Sequence, residues 1–133
     1  TDPNCYGDFA ATFTDGSLAI AWLEQSDLNR KVRFAVFDPD GGSLVPTMEV
    51  QEYSLQRFIS NMEVAERGGS YLIGWSTGNT NSRNIFVRLD SSGRITGGGD
   101  LDVTTTGGNI GQLWWMATGM YCWAGNIFRL SCE

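Results

Sequence analysis

Apolar and polar residues alternate with a period of two over much of the chain. Between Ser17 and Leu23, Leu18, Ile20 and Trp22 fall on one side and Ser17, Ala19 and Ala21 on the other. That is the pattern of a half-buried strand, with the bulky side expected to face the core. The spacing predicts strands at Phe9 to Phe13, Ser17 to Leu23, Val32 to Phe37 and Pro46 to Gln51. Asp15-Gly16 and Asp38-Pro39-Asp40-Gly41 supply the turn residues between them, with proline and glycine where a β-turn accepts them. The polar stretches 24–30 and 76–83 read as loops. Helical periodicity is weak, and only Leu55 to Val64 is expected to hold a turn or two of helix.

The pattern repeats. Asp15-Gly16-Ser17-Leu18-Ala19-Ile20-Ala21-Trp22 aligns with Gly68-Gly69-Ser70-Tyr71-Leu72-Ile73-Gly74-Trp75 at an offset of 53. Phe34 to Asp38 aligns with Phe86 to Asp90 at an offset of 52, and Met48-Glu49-Val50 with Leu101-Asp102-Val103 at 53. A shortened third copy carries Tyr121-Cys122-Trp123 and Asn126-Ile127-Phe128. One all-β repeat domain over residues 1–133 is expected, with units at about 8–51, 58–104 and 110–133. Four antiparallel strands in about 50 residues is the arithmetic of a β-propeller blade, with a β-sandwich as the alternative. Two units and part of a third do not close a ring. Other chains or a longer chain would complete it, and open blade edges favour association. Trp22, Trp75 and Trp123 occupy equivalent positions and are expected in the core.

The order Gly-strand-Trp, aromatic strand, Asp-turn-Gly resembles the tandem repeats of large secreted bacterial surface proteins, which follow Asp-Gly-Gly-Phe-Val-Val-x-Trp and then Arg-Phe-Asp-x-x-Gly. Residues 8–104 carry the resemblance well and 110–133 loosely; Gly68 stands where the pattern has Asp. The resemblance implies propeller blades at the cell surface or outside the cell, in adhesive proteins commonly without assigned chemistry.

Composition narrows the chemistry. Aromatic residues make up 12% and charged residues 18% of the chain, a folded composition rich in turns given 17 glycines. No histidine is present, which excludes Ser-His-Asp or Cys-His activation and His-ligated metal within this chain. A net charge of −6, with Lys31 the only lysine, argues against a nucleic-acid backbone as partner. No apolar run has the length of a membrane-spanning helix. Cys5, Cys122 and Cys132 lack the spacing of a zinc or thioredoxin motif. A disulfide joining two of them, three buried thiols, or a bridge to another chain all remain open.

Candidate sites are few. Asp38 and Asp40 offer carboxylates to calcium, although turn chemistry explains them better, since it accounts for both copies; no other cofactor is expected. Trp114 and Trp115 are adjacent, so on a strand they take opposite faces. An exposed indole near Tyr121 would suit sugar stacking or a protein interface. Glu24, Asp27, Glu63 and Glu66 are carboxylates without the arrangement of a glycosidase pair, and Thr14-Asp15-Gly16 before Trp22 only approximates the sialidase Asp-box. These features point to an extracellular, non-catalytic module that binds carbohydrate or protein through its loops and tryptophans. The alternatives are a structural subunit of a surface filament or larger complex, and a fragment of a sialidase-like enzyme.

Overall fold

A computed structural model of the chain describes residues 4–14, 16–78, 83–102, 112–116, 119–123 and 127–130. The fold is all-β, and no helix occurs among the described residues. Strands β1 (Asn4–Thr14), β2 (Ser17–Gln25), β3 (Asn29–Phe37) and β4 (Ser43–Ser54) form one antiparallel meander. A second comprises β5 (Ile59–Arg67), β6 (Ser70–Thr77), β7 (Arg83–Leu89) and β8 (Ile95–Asp102). A third, three-stranded sheet has β9 (Gln112–Met116), β10 (Gly119–Trp123) and β11 (Ile127–Leu130), with β10 in the centre.

The register repeats with the sequence. Ala21 stands opposite Phe34, Gly74 opposite Phe86, and Cys122 opposite Phe128. Even the irregularities recur: β1 breaks register between Cys5 and Phe9, and β5 between Ser60 and Glu63. In β5 the break contains Asn61 at φ 55°, a left-handed conformation that asparagine tolerates better than most residues. Gly16 and Gly69 occupy equivalent turns at φ 81° and 82°, where a side chain would be strained.

Two sequence expectations fail here. Leu55 to Val64 is not helical: a turn covers residues 55–57, and β5 then pairs with β6. The stretch 24–30 is mostly strand, leaving a short hairpin turn at Ser26–Leu28. Its polar residues extend the ladder, because Glu24 faces Lys31 and Gln25 faces Arg30 across it, and opposite charges on paired strands are favourable. The Ser26 hydroxyl accepts the amides of Leu28 at 3.2 Å and Asn29 at 3.3 Å, closing the turn. Residues 79–82, in the equivalent connection, lie outside the described residues.

The main core lies between the first two sheets. Ala19, Ala21, Leu23, Val32, Phe34, Val36 and Val45 pack against Ile59, Val64, Tyr71, Ile73, Trp75 and Leu89. Phe34 and Tyr71 meet with ring centroids 5.2 Å apart, tilted by 59°, a geometry worth about 0.5–1.5 kcal/mol beyond area burial. Trp75 Nε1 donates to the Tyr53 hydroxyl at 3.0 Å, so the indole enters the core without an unmade hydrogen bond. Gly93, at φ 85°, lets the β7–β8 turn approach β4 closely: a Cβ there would lie 2.5 Å from Val45 Cγ1.

This packing corrects the expected core side of β2. Its buried row is Ala19, Ala21 and Leu23; Leu18, Ile20 and Trp22 are only half-buried on the opposite face. Trp75 is fully buried, at 0% exposure, because both faces of β6 are covered. Equivalent tryptophans thus have different environments. Small residues are needed on the core side of β2 to admit the bulky Ile73 and Trp75 row of its neighbour.

Candidate functional site

The outer face of the first sheet carries exposed apolar side chains outside the main core. Direct cross-strand partners share a face, and the pairs Phe9 with Trp22, Ala11 with Ile20, and Phe13 with Leu18 define it. The same rows continue onto β3 through Arg33, Ala35 and Phe37. Phe9 is 69% exposed and Phe13 76%. Phenylalanines of the same parity on one strand form a contiguous apolar strip, and such strips on folded proteins mark contact surfaces. Charges border the strip at one end. Arg33 Nη2 meets Glu24 Oε1 at 3.0 Å, and Lys31 Nζ meets Glu49 Oε1 at 3.0 Å. An apolar centre with a paired, polar margin has the anatomy of a protein interface.

The adjoining edge carries the β2–β3 turn and the connection between the first two sheets. Leu28 is 84% exposed and Phe58 63%. Arg30 lies over the Phe58 ring, 5.8 Å from its centroid, while its Nη1 donates to the Arg57 carbonyl at 2.8 Å. Arg57 Nε in turn donates to Thr77 Oγ1 at 2.8 Å. The arginines are therefore committed to holding this connection in shape.

Of the two carboxylates proposed for calcium, that of Asp38 is engaged in turn chemistry. Asp38 Oδ1 accepts the amides of Asp40 at 2.9 Å and Gly42 at 2.7 Å. Asp90 repeats the arrangement with the amides of Ser92 and Arg94, both at 3.0 Å, and adds the Ser92 hydroxyl at 2.6 Å. The Ser92 hydroxyl is the main cause holding the Asp90 carboxyl below its ordinary range, followed by the Arg94 amide. Among the described residues no group of three Cys, Asp or Glu is arranged to hold a metal ion.

The other carboxylates are dispersed. Glu24 pairs with Arg33, Glu66 Oε1 accepts the Gly69 amide at 2.7 Å, and Glu63 stands opposite Gly74 on β5. Glu63 and Glu66 are three apart on one strand and so take opposite faces. Asp15 lies outside the described residues.

The aromatic candidates divide by register. Tyr121 stands opposite Trp114, whereas Trp115 stands opposite Met120 in the other row. Trp114 and Tyr121 therefore share a sheet face that Trp115 does not. Cys5 falls on β1 and Cys122 on β10, while Cys132 lies outside the described residues. Among the described residues no helix is long and apolar enough to cross a membrane.

Sequence reasoning missed the Phe9, Phe13 and Trp22 strip because it assigned the bulky row of β2 to the core. The signal was available in the small row: Ala19 and Ala21, and Gly74 after one repeat, mark the side where a neighbour's large residues enter. No protein-family model, curated protein or solved structure matches the chain.

Proposed function

We infer that the chain is a non-catalytic, propeller-type assembly module of the extracellular space that docks protein through the outer face of its first sheet. The observation that carries this reading is the exposed Phe9 and Phe13 strip, backed by Leu18, Ile20 and Trp22. The arrangement of the sheets supports the propeller. Each is a meander, and their first strands neighbour one another, β1 beside β5 and β5 beside β9. Blades around a common axis have that arrangement. The secreted repeats that the sequence resembles support a location outside the cell.

The carbohydrate reading rests on Trp114, Trp115 and Tyr121, which register divides between two faces. The strip favours protein instead: it is apolar and framed by paired charges, whereas sugar sites pair an aromatic with free polar groups. Light scattering of the 133-residue chain, run beside a broad glycan panel, tests the assignment. Self-association without glycan binding is expected. A monomer across the soluble concentration range would overturn the docking reading, and glycan binding abolished by Trp114→Ala would replace it with a lectin.

A further inference from the structure

We propose that Arg30, Arg57 and Phe58 form a second recognition site, which takes an acidic, apolar segment of a protein partner at the end of the molecule that carries the β2–β3 turn. The site is separate from the Phe9 and Phe13 strip. Arg33 belongs to the strip's face through its pairing with Trp22, and Arg30, three residues away on the same strand, takes the opposite face.

Charge marks the site. Lys31, Arg33, Arg83 and Arg94 each meet a carboxylate, on Glu49, Glu24, Asp100 and Asp90. Arg30 and Arg57, both half-buried, meet none among the described residues. Holding the β4–β5 connection engages Arg30 Nε with Gln25 Oε1, Arg30 Nη1 with the Arg57 carbonyl, and Arg57 Nε with Thr77 Oγ1. All three acceptors are neutral, so neither positive charge is offset. A guanidinium has five N–H donors, which leaves Nη2 of Arg30 and both Nη atoms of Arg57 for an incoming oxygen. The Arg30 bond to the Arg57 carbonyl keeps the two charges within that bond and one arginine side chain of each other. The carboxylates at this end have partners already: Asp100 pairs with Arg83, Glu52 accepts from the Asn29 amide, and Asp27 is engaged as well.

The surroundings select the occupant. Two adjacent guanidinium groups without a counter-charge suit a carboxylate, which an arginine fork can bind through two parallel hydrogen bonds. Arg30 lies over the Phe58 ring, 5.8 Å from its centroid, so cation and aromatic form one surface. Phe58 is 63% exposed, and Leu28 on the same end is 84% exposed. Polar side chains that could read sugar hydroxyls are turned inward instead: Ser26 bonds to Asn29, Gln25 to Arg30 and Thr77 to Arg57. A net charge of −6 makes this cationic site a local exception and disfavours a nucleic-acid backbone. What remains is a segment offering carboxylates beside apolar side chains, drawn in by opposite charge.

Fluorescence polarisation tests the proposal with a labelled peptide in which glutamate alternates with phenylalanine and leucine. Its counterpart with glutamine for glutamate is the neutral control. The acidic peptide should bind, the neutral one should not, and binding should weaken as salt rises. Arg30→Gln and Arg57→Gln should each weaken it at least ~5-fold, as loss of a charge-assisted anchor does. Phe58→Ala alters an exposed position, should also weaken binding, and keeps the test decisive if circular dichroism shows that the arginine variants do not fold. Arg94→Gln removes one positive charge from the β7–β8 turn, at the opposite end of the sheets, and should bind as wild type does. An equal loss in Arg94→Gln would mean a general charge effect and overturn the proposal. A wild type that ignores the acidic peptide, or a Phe58→Ala chain that binds it undiminished, would overturn it too. So would binding to oligogalacturonate or to phosphatidylserine vesicles in place of the peptide. None of these failures touches docking at the first sheet, which self-association reads separately.

Discussion

Trp22 and Trp75 are the same residue at the same point of the repeat, yet their replacement should have unequal costs. Trp75 is fully buried and donates to Tyr53 at 3.0 Å. Trp75→Ala removes the largest fully buried side chain of the core, a change that costs about 3–5 kcal/mol, and leaves the half-buried Tyr53 hydroxyl without this donor, which adds about 1 kcal/mol. Trp22 is half-buried and stands between Phe9 and Arg33 on its own sheet. A tryptophan buries about 150–250 Å² when enclosed, and at about 25 cal/mol per Å² half of that gives about 2–3 kcal/mol as an upper bound, with no closed cavity. Urea unfolding followed by far-ultraviolet circular dichroism, at concentrations where the chain is monomeric, measures both differences. Trp75→Ala should lower stability by at least about 1 kcal/mol more than Trp22→Ala, with unchanged m values. Equal costs would refute the assignment of the two rows to a covered and an open face.

Three further outcomes follow from local geometry. Gly93→Ala should destabilise by about 2 kcal/mol or more, through positive φ and the 2.5 Å approach to Val45, whereas Gly41→Ala, also at φ 85° but with open space, should cost only about 1 kcal/mol; thermal melts of the pair check this, and equal shifts would refute the close approach. Asp90 has a depressed pKa, so its contribution is present above its ordinary value of 3.8 and is lost as pH falls through the folded value. Asp90→Asn should therefore lower the melting temperature at neutral pH and lose that effect in strong acid; a pH-independent difference would contradict the ionic contribution. Tyr53 is raised, by burial first, with the Trp75 bond and the Arg57 charge opposing, so its stabilising effect holds below its ordinary value of 10.0 and fades as pH rises through the folded value. Tyr53→Phe should cost about 1–3 kcal/mol at neutral pH through the lost partner of Trp75, and less in alkali; superimposable alkaline unfolding curves after allowing for the neutral offset would contradict it.

Strands, turns and repeat were legible because their causes are local. Alternation marks a strand wherever it occurs, and Asp38-Pro39-Asp40-Gly41 encodes its own turn through bonds within five residues. Which face is buried is not a local property. Leu18, Ile20 and Trp22 are the more apolar row of β2, but the covered row is the one that fits the neighbouring sheet. The expected loop at 24–30 failed for a related reason: its polar residues pair across β2 and β3, which only the register reveals. Leu55 to Val64 carries apolar residues at mixed spacings, and pairing with β6 decides its conformation. The exposed strip was hidden by the same ambiguity, since one parity of β1 reads equally well as core or contact surface.

The two tryptophan rows differ where an open face should differ from a closed one. Trp22 stands opposite Arg33, which pairs with Glu24; Trp75 stands opposite Ile85, and Thr77 is the repeat equivalent of Glu24. The covered row is thus apolar beside its indole, while the open row keeps an ion pair in the same place. Arg33 and Glu24 are a quarter or less exposed, at 23% and 17% for their side chains, so a docked protein would remove them further from water at a desolvation cost that Coulomb attraction only partly offsets. Ile85 carries no such cost. A partner docked on the first sheet would consequently be held more weakly than the second sheet is, and the ion pair would keep the open face wetted in its absence. That combination suits a contact that forms and separates, since permanent interfaces resemble a divided core and transient ones retain charge. Converting Arg33 to Ile and Glu24 to Thr would give the open row the character of the covered one, tightening association while lowering the solubility of the separated chain.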